Sequence, residues 1–191
     1  MRIITISAIL FCLIWSCGPK VGFNKKDKFD VKTFNKSAIN NELILTLKDG
    51  TTIKKIKIRD IFYEERQAPH SPFKDYKYYY VENNNLKYSG RQFFNFKIGV
   101  WNEYDSAGQL IKQRNWDEHY GFSIDDLILM MKNEFNIDIA KITGRAGALR
   151  GKDGIYYYEV HLAISNIKMS SVRIIRINGN SGKVVSDNIR Y

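Results

Sequence analysis

The residues of this 191-residue chain whose types could do chemistry are few: a glycine- and cation-rich stretch, three histidines, two cysteines and some adjacent carboxylates. A phosphate loop needs four residues between its glycines, then Gly-Lys and a hydroxyl for magnesium. In Gly144-Arg145-Ala146-Gly147-Ala148-Leu149-Arg150-Gly151-Lys152-Asp153-Gly154 only three residues separate Gly147 from Gly151, and Asp153 stands in the hydroxyl's place. Its negative charge would repel a phosphate. The stretch reads as a basic mobile loop, with Arg145, Arg150 and Lys152 as candidate contacts for an anion. His70, His119 and His161 are far apart, and none falls in a metal-binding spacing, so no metal or cofactor is expected. No Gly-x-Ser-x-Gly elbow is present. Glu64, Glu65, Asp117 and Glu118 could pair as acid and base only if the fold made two of them converge, which the sequence does not require. The chain therefore reads as non-enzymatic.

Two aromatic clusters point instead to binding. Tyr76-Lys77-Tyr78-Tyr79-Tyr80 and Phe93-Phe94-Asn95-Phe96-Lys97 interleave rings with lysines. In strands, half of each set faces away from the core, which makes Tyr78, Tyr80, Phe94 and Phe96 candidate partner contacts. The other reading, that both faces are covered by the neighbouring hairpins and a C-terminal helix, stays open.

The chain begins with Arg2 and then Ile3–Trp15, where eleven of thirteen residues are apolar. A spanning helix needs about 20, and a short apolar run behind a positive start reads as a secretory signal. The run ends in Ile14-Trp15-Ser16-Cys17-Gly18, which resembles the lipobox of bacterial lipoproteins. The resemblance implies cleavage after Ser16, diacylglyceryl transfer to the Cys17 thiol and acylation of the new amine. Cys12 would leave with residues 1–16, so no thiol would remain for a disulfide or a nucleophile. No acidic residue follows Cys17 in Gly18–Phe23. By similarity to known sorting signals, the expected place is the cell envelope, as an outer-membrane lipoprotein facing the periplasm.

The formal charge of the whole chain is +10, and losing Arg2 with the signal leaves +9. Outside the cytoplasm this argues against nucleic acid and leaves anionic headgroups, acidic glycans or an acidic protein as candidate partners. Residues 17–41 read as a lipidated N-terminus and flexible tether. Its lysines 25, 26, 28, 32 and 36 could each gain about 1 kcal/mol near an anionic leaflet.

These groups need elements to hold them. Leu43, Leu45 and Leu47 alternate before Asp49-Gly50, and Ile56 and Ile58 share a face after it, which predicts a hairpin. Residues 59–75, with Pro69 and Pro72, read as an irregular connection. Tyr80–Leu86 and Tyr104–Leu110 then repeat an aromatic residue, a polar turn and a leucine at a spacing of 24 residues. Gly99-Val100-Trp101-Asn102-Glu103-Tyr104-Asp105-Ser106-Ala107-Gly108-Gln109-Leu110 resembles a MORN-type repeat of the variant found in antitoxin-like proteins, and the resemblance covers residues 77–116. Gly99, Trp101, Tyr104, Asp105, Gly108 and Leu110 carry the motif and read as structural: Gly99 for close approach between hairpins, Trp101 and Tyr104 for apolar area, Asp105–Gly108 for a turn. Ser123 and Asp126 form a capping box before Ile124, Leu127, Ile128, Met131 and Phe135, one face of a helix that Leu129 and Met130 widen. Three strands follow, at 155–164, 172–177 and 183–186, the last two joined across Asn178–Gly182. This ending is similar to PepSY-type domains.

The expected fold is α+β: an antiparallel, MORN-like hairpin array over 42–118, then over 119–191 a helix packed on a three-stranded antiparallel sheet. The expected function is a non-enzymatic, membrane-anchored lipoprotein that binds a protein or an anionic surface. An immunity or antitoxin-like lipoprotein that occludes a toxin is the alternative, and an envelope hydrolase the third option.

Overall fold

The structure, a computed structural model, describes residues 27–141, 146–164 and 171–190. Cys17 and the signal segment lie outside the described residues. The described chain is mostly antiparallel β. Seven strands follow one another as hairpins in a sheet whose spatial order is the chain order: β1 (Glu42–Thr46), β2 (Thr52–Ile58), β3 (Ile61–Gln67), β4 (Phe73–Tyr80), β5 (Leu86–Phe93), β6 (Phe96–Tyr104) and β7 (Leu110–Asn115). The β1–β2 turn falls at Asp49-Gly50, with Gly50 at φ +81° and the Asp49 carboxylate accepting the Thr51 N–H at 2.9 Å.

Residues 59–75 are not an irregular connection: they hold all of β3 and the start of β4. The pattern was hidden because carboxylates occupy both faces of β3. Glu64 pairs with Lys55 at 3.3 Å on one face, and Glu65 with Lys74 at 3.0 Å on the other. Pro69 and Pro72 are confined to the β3–β4 turn, where no ladder hydrogen bond is lost. The two turns of the 24-residue repeat stack on each other. Tyr80 donates its hydroxyl to the Tyr104 carbonyl at 2.9 Å, and the Asn83 and Asn85 amides both donate to Ser106 O at 2.7 Å. Gly108 sits at φ +82° in its turn, as expected. Gly99 serves differently from expectation. Its Cβ position faces open space, and φ +61° is what demands glycine there. The close approach occurs at Gly90, on which the Trp101 ring lies.

Residues 27–41, expected to belong to a flexible tether, fold onto the sheet. Helix α1 (Val31–Ser37) starts at Asp30, whose carboxylate accepts the Thr33 N–H at 3.0 Å. Phe29 stacks on Phe62 at 4.2 Å, and both pack with Phe34, Tyr79, Leu86 and Tyr104 in one core. Two phenylalanines in a lysine-rich segment carry no periodicity; the sheet face supplies their burial.

The second lobe comprises α2 (Ile124–Phe135) and a sheet of four strands, not three: β8 (Ala146–Asp153), β9 (Ile155–Ile164), β10 (Ser171–Asn178) and β11 (Val184–Arg190), in the order β11-β10-β9-β8. The extra strand is the glycine-rich stretch. Only Ala148 of β8 is buried, so no apolar alternation marked it, and a Cβ on Gly151 would lie 2.3 Å from the Tyr157 ring. Leu127 and Met131 of α2 share a core with Tyr158, Val160, Ile175 and Ile177, and with Phe93 and Ile98 of the first sheet. Leu129 is 56% exposed and does not widen the buried stripe; Met130 packs partly. The expected capping box is present, Ser123 Oγ accepting the Asp126 N–H at 3.1 Å and the Asp126 carboxylate accepting the Ser123 N–H at 3.1 Å. Ser123→Ala should cost about 1 kcal/mol, read as a lower denaturant midpoint with an unchanged slope. An unchanged midpoint would show that packing alone fixes the start of α2.

Candidate binding surface

Register places a row of tyrosines on one face of the seven-stranded sheet. Ile56, Tyr63, Tyr78, Tyr88 and Glu103 are successive cross-strand partners on β2 to β6. Their rings touch in sequence, Tyr63–Tyr78 at 5.3 Å, Tyr78–Tyr88 at 6.0 Å and Tyr88–Trp101 at 5.1 Å, with Tyr76 6.3 Å from Trp101. Phe34 of α1 and Leu127 of α2 are buried in cores on the opposite face. The tyrosine face therefore carries neither helix, and Tyr63, Tyr78 and Tyr88 stay half-buried among themselves. Burial, then the Glu65 carboxylate that accepts the Tyr63 hydroxyl at 2.6 Å, pushes the Tyr63 pKa well above the usual phenol range. Burial likewise raises Tyr78.

The face leads into a cleft between the lobes. Lys97 is the link: its ammonium lies 4.4 Å from the Trp101 ring centre and 4.9 Å from those of Tyr88 and Trp116, and it donates to the Tyr88 hydroxyl at 3.1 Å. The Arg114 guanidinium sits 4.0 Å over Trp116, and Lys152 4.9 Å over Tyr156. The cavity they surround measures about 540 Å³.

The candidate contacts named from sequence separate here. Tyr78 lies in the open row. Tyr80 is half-buried, its hydroxyl spent on Tyr104 and its ring under Lys87 at 5.0 Å. Phe94 and Phe96 pack against the core shared with α2, although Phe96 also lines the cleft. Lys152 is exposed at the cleft, whereas Arg145 lies outside the described residues. Arg150 is not a surface contact. Its side chain is 8% exposed, and it donates to Lys97 O at 3.2 Å, Trp116 O at 3.1 Å and Tyr158 Oη at 3.1 Å. Its Nη1 also lies 2.7 Å from Asp117 Oδ1, off the hydrogen-bonding direction. Of the repeat residues, Trp101 and Tyr104 are buried as expected, while Leu110 is 48% exposed on edge strand β7.

The carboxylates do not converge. Glu64 and Glu65 face opposite ways, each with its own lysine; Asp117 holds Arg150, and Glu118 lies 3.2 Å from His119. Among the described residues no group of three or more His, Cys, Asp or Glu could hold a metal, and no helix is long and apolar enough to cross a membrane. Sequence reasoning missed Arg114, on β7, and Trp116, in the turn that follows it. It also missed Asp117 as the partner of Arg150, a pairing across 33 residues that only the docked lobes reveal. No family model matches the chain, and neither the curated proteins nor the solved structures contain a match to it.

Proposed function

We propose that this protein is a lipid-anchored envelope protein that catalyses nothing and binds a protein or an anionic surface through the hairpin sheet. The observation that carries this reading is the row Tyr63–Tyr78–Tyr88, which neither described helix covers, continuous with the cations Lys97 and Arg114. Tyrosine buries a large area with few torsions to freeze, which is why it is enriched at binding surfaces. The antitoxin-like alternative would use the same surface with a toxin as the partner, and the resemblance of residues 99–110 to that repeat variant is what favours it. The basic charge favours an acidic partner in either case.

The anchor and the surface are tested together. Wild type should take up labelled fatty acid and fractionate with membranes, and Cys17→Ala should do neither. Capture from envelope extract by the anchored protein should weaken as salt rises, because the Debye length falls from about 10 Å at 0.1 M to about 3 Å at 1 M. The paired change Tyr78→Ala, Tyr88→Ala should abolish capture while leaving the fold intact. Equal capture by that variant would remove the tyrosine row from the function. Turnover of a peptidoglycan or ester substrate would put an enzyme in its place.

A further inference from the structure

We infer that the cleft between the lobes is a binding site for an acidic saccharide, a sugar chain bearing carboxylates. The inference rests on the binding reading and deepens it by naming a ligand class. The cleft is assembled from distant parts of the sequence: Lys97 and Arg114 come from the first sheet, Lys152 and Tyr156 from the second, and Trp116 and Tyr120 from the connection. Its floor is already largely neutralised, because the Arg150 Nη groups donate to two carbonyls and a phenol and lie beside the Asp117 carboxylate. Its remaining cations are held differently. Lys97, Arg114 and Lys152 each rest on an aromatic ring, and among the described residues none of them pairs with a carboxylate. A ring positions a cation without cancelling its charge, so the cleft stays positive and its N–H groups stay available.

Among the described residues the unpaired charges of the cleft are cations, with the exposed Glu118 carboxylate the exception. Trp116 Nε1 is buried without an acceptor. The Asn115 side-chain oxygen already accepts the Asp117 N–H at 3.0 Å, and the Glu118 carboxylate lies 3.2 Å from His119. A ligand that fits must bring acceptors and negative charge. A sugar acid does both through its hydroxyls and carboxylates, and its C–H groups can pack against the rings that line the cleft, Trp116, Tyr120 and Tyr156 among them. An acidic peptide also brings charge, but a lining so rich in rings (Phe96, Trp116, Tyr120, Tyr156 and His119) suits the C–H faces of a sugar better than an extended backbone. A volume of about 540 Å³ is that of a small-ligand site and suits one or two sugar rings.

The test is titration of the detergent-solubilised full chain with a galacturonate tetramer, read by tryptophan fluorescence and by calorimetry. A neutral glucose tetramer and a tetraglutamate peptide serve as the other ligands. The uronate should bind, and Arg114→Ala and Lys152→Ala should each weaken it about tenfold, the effect of losing one charge-assisted hydrogen bond. Both residues are exposed, so the variants should keep the wild-type circular dichroism. The neutral tetramer should bind at least tenfold more weakly. No uronate binding, equal binding by the double variant, or equal binding of the neutral sugar overturns the site. Tighter binding of tetraglutamate overturns it in favour of an acidic peptide. Uronate failure with capture still dependent on Tyr78 and Tyr88 defeats the cleft alone. Uronate binding with no capture at any salt defeats the tyrosine face and leaves the cleft standing.

Discussion

Trp101→Ala should destabilise the folded chain by about 4 kcal/mol, within the range for removing a buried large aromatic side chain. The indole is 1% exposed although neither described helix covers its side of the sheet. Its neighbours bury it. The strand register shifts between Ser89 and Arg91, and the ring lies over Gly90, where a Cβ would come within 2.1 Å of it. Tyr76 and Tyr88 flank it, Lys97 covers it at 4.4 Å, and its Nε1 donates to Arg91 O at 3.0 Å. Gly90→Ala should therefore cost about 3 kcal/mol by displacing the ring, as overpacking does. The two changes should not add. Once the indole is gone, the methyl group introduced by Gly90→Ala has room, and the double variant should be about as stable as Trp101→Ala alone. Denaturant melts of the four proteins check this cycle. An unchanged midpoint for Trp101→Ala would move the residue from the interior of the sheet to a ligand-facing role.

The parts of this fold that were legible in the sequence are those whose burial is local and periodic. Leu43 and Leu45 before Asp49-Gly50 specify a hairpin because a two-residue period and a turn residue agree. The capping box at Ser123 and the spacing of Ile124, Leu127 and Met131 specify α2 in the same way. The repeat turns at 81–85 and 105–109 were readable because the same turn chemistry recurs 24 residues later. What was illegible depends on partners far along the chain. β3 carries Glu64 and Glu65 on alternate faces, and only the lysines of β2 and β4 make those positions acceptable in a sheet. β8 is held as a strand by pairing with β9 from Ala146 to Asp153, not by an apolar face of its own. Phe29 and Phe34 look solvated until Phe62 and Tyr79 arrive beside them. The candidate site divides the same way. Alternation picked out Tyr78 but not the row, because Tyr63 lies in the segment read as irregular and the register shift at Tyr78/Tyr79 takes Tyr80 out of it. The cleft exists only because β8 docks against the end of the first sheet.

That docking makes Arg150 the second residue whose loss should matter most. Arg150→Met should cost about 3 kcal/mol, because three acceptors lose a buried charged donor while Asp117, 39% exposed, keeps part of its hydration. Methionine preserves much of the side chain's length and apolar contact with Tyr120, so the loss would report the charge and its hydrogen bonds. Without the guanidinium, the carbonyls of Lys97 and Trp116 and the Tyr158 hydroxyl lose a donor, and Asp117 loses its counter-charge. Asp117 would remain tied to the first sheet, because its Oδ2 accepts the Gly99 N–H at 2.8 Å. Asp117→Asn keeps an oxygen for that N–H and should cost less than Arg150→Met. Adding Asp117→Asn to Arg150→Met should recover part of the loss, because no uncompensated carboxylate is then left at the junction. Since Phe93 and Ile98 share a core with α2 and β9, the wild type should unfold in one transition seen alike by tryptophan fluorescence and far-ultraviolet circular dichroism. In Arg150→Met the two probes should separate, the fluorescence of Trp101 and Trp116 changing apart from the loss of strand signal as the lobes come undone. A single transition at the wild-type midpoint would show that the shared apolar core alone joins the lobes and that Arg150 is dispensable.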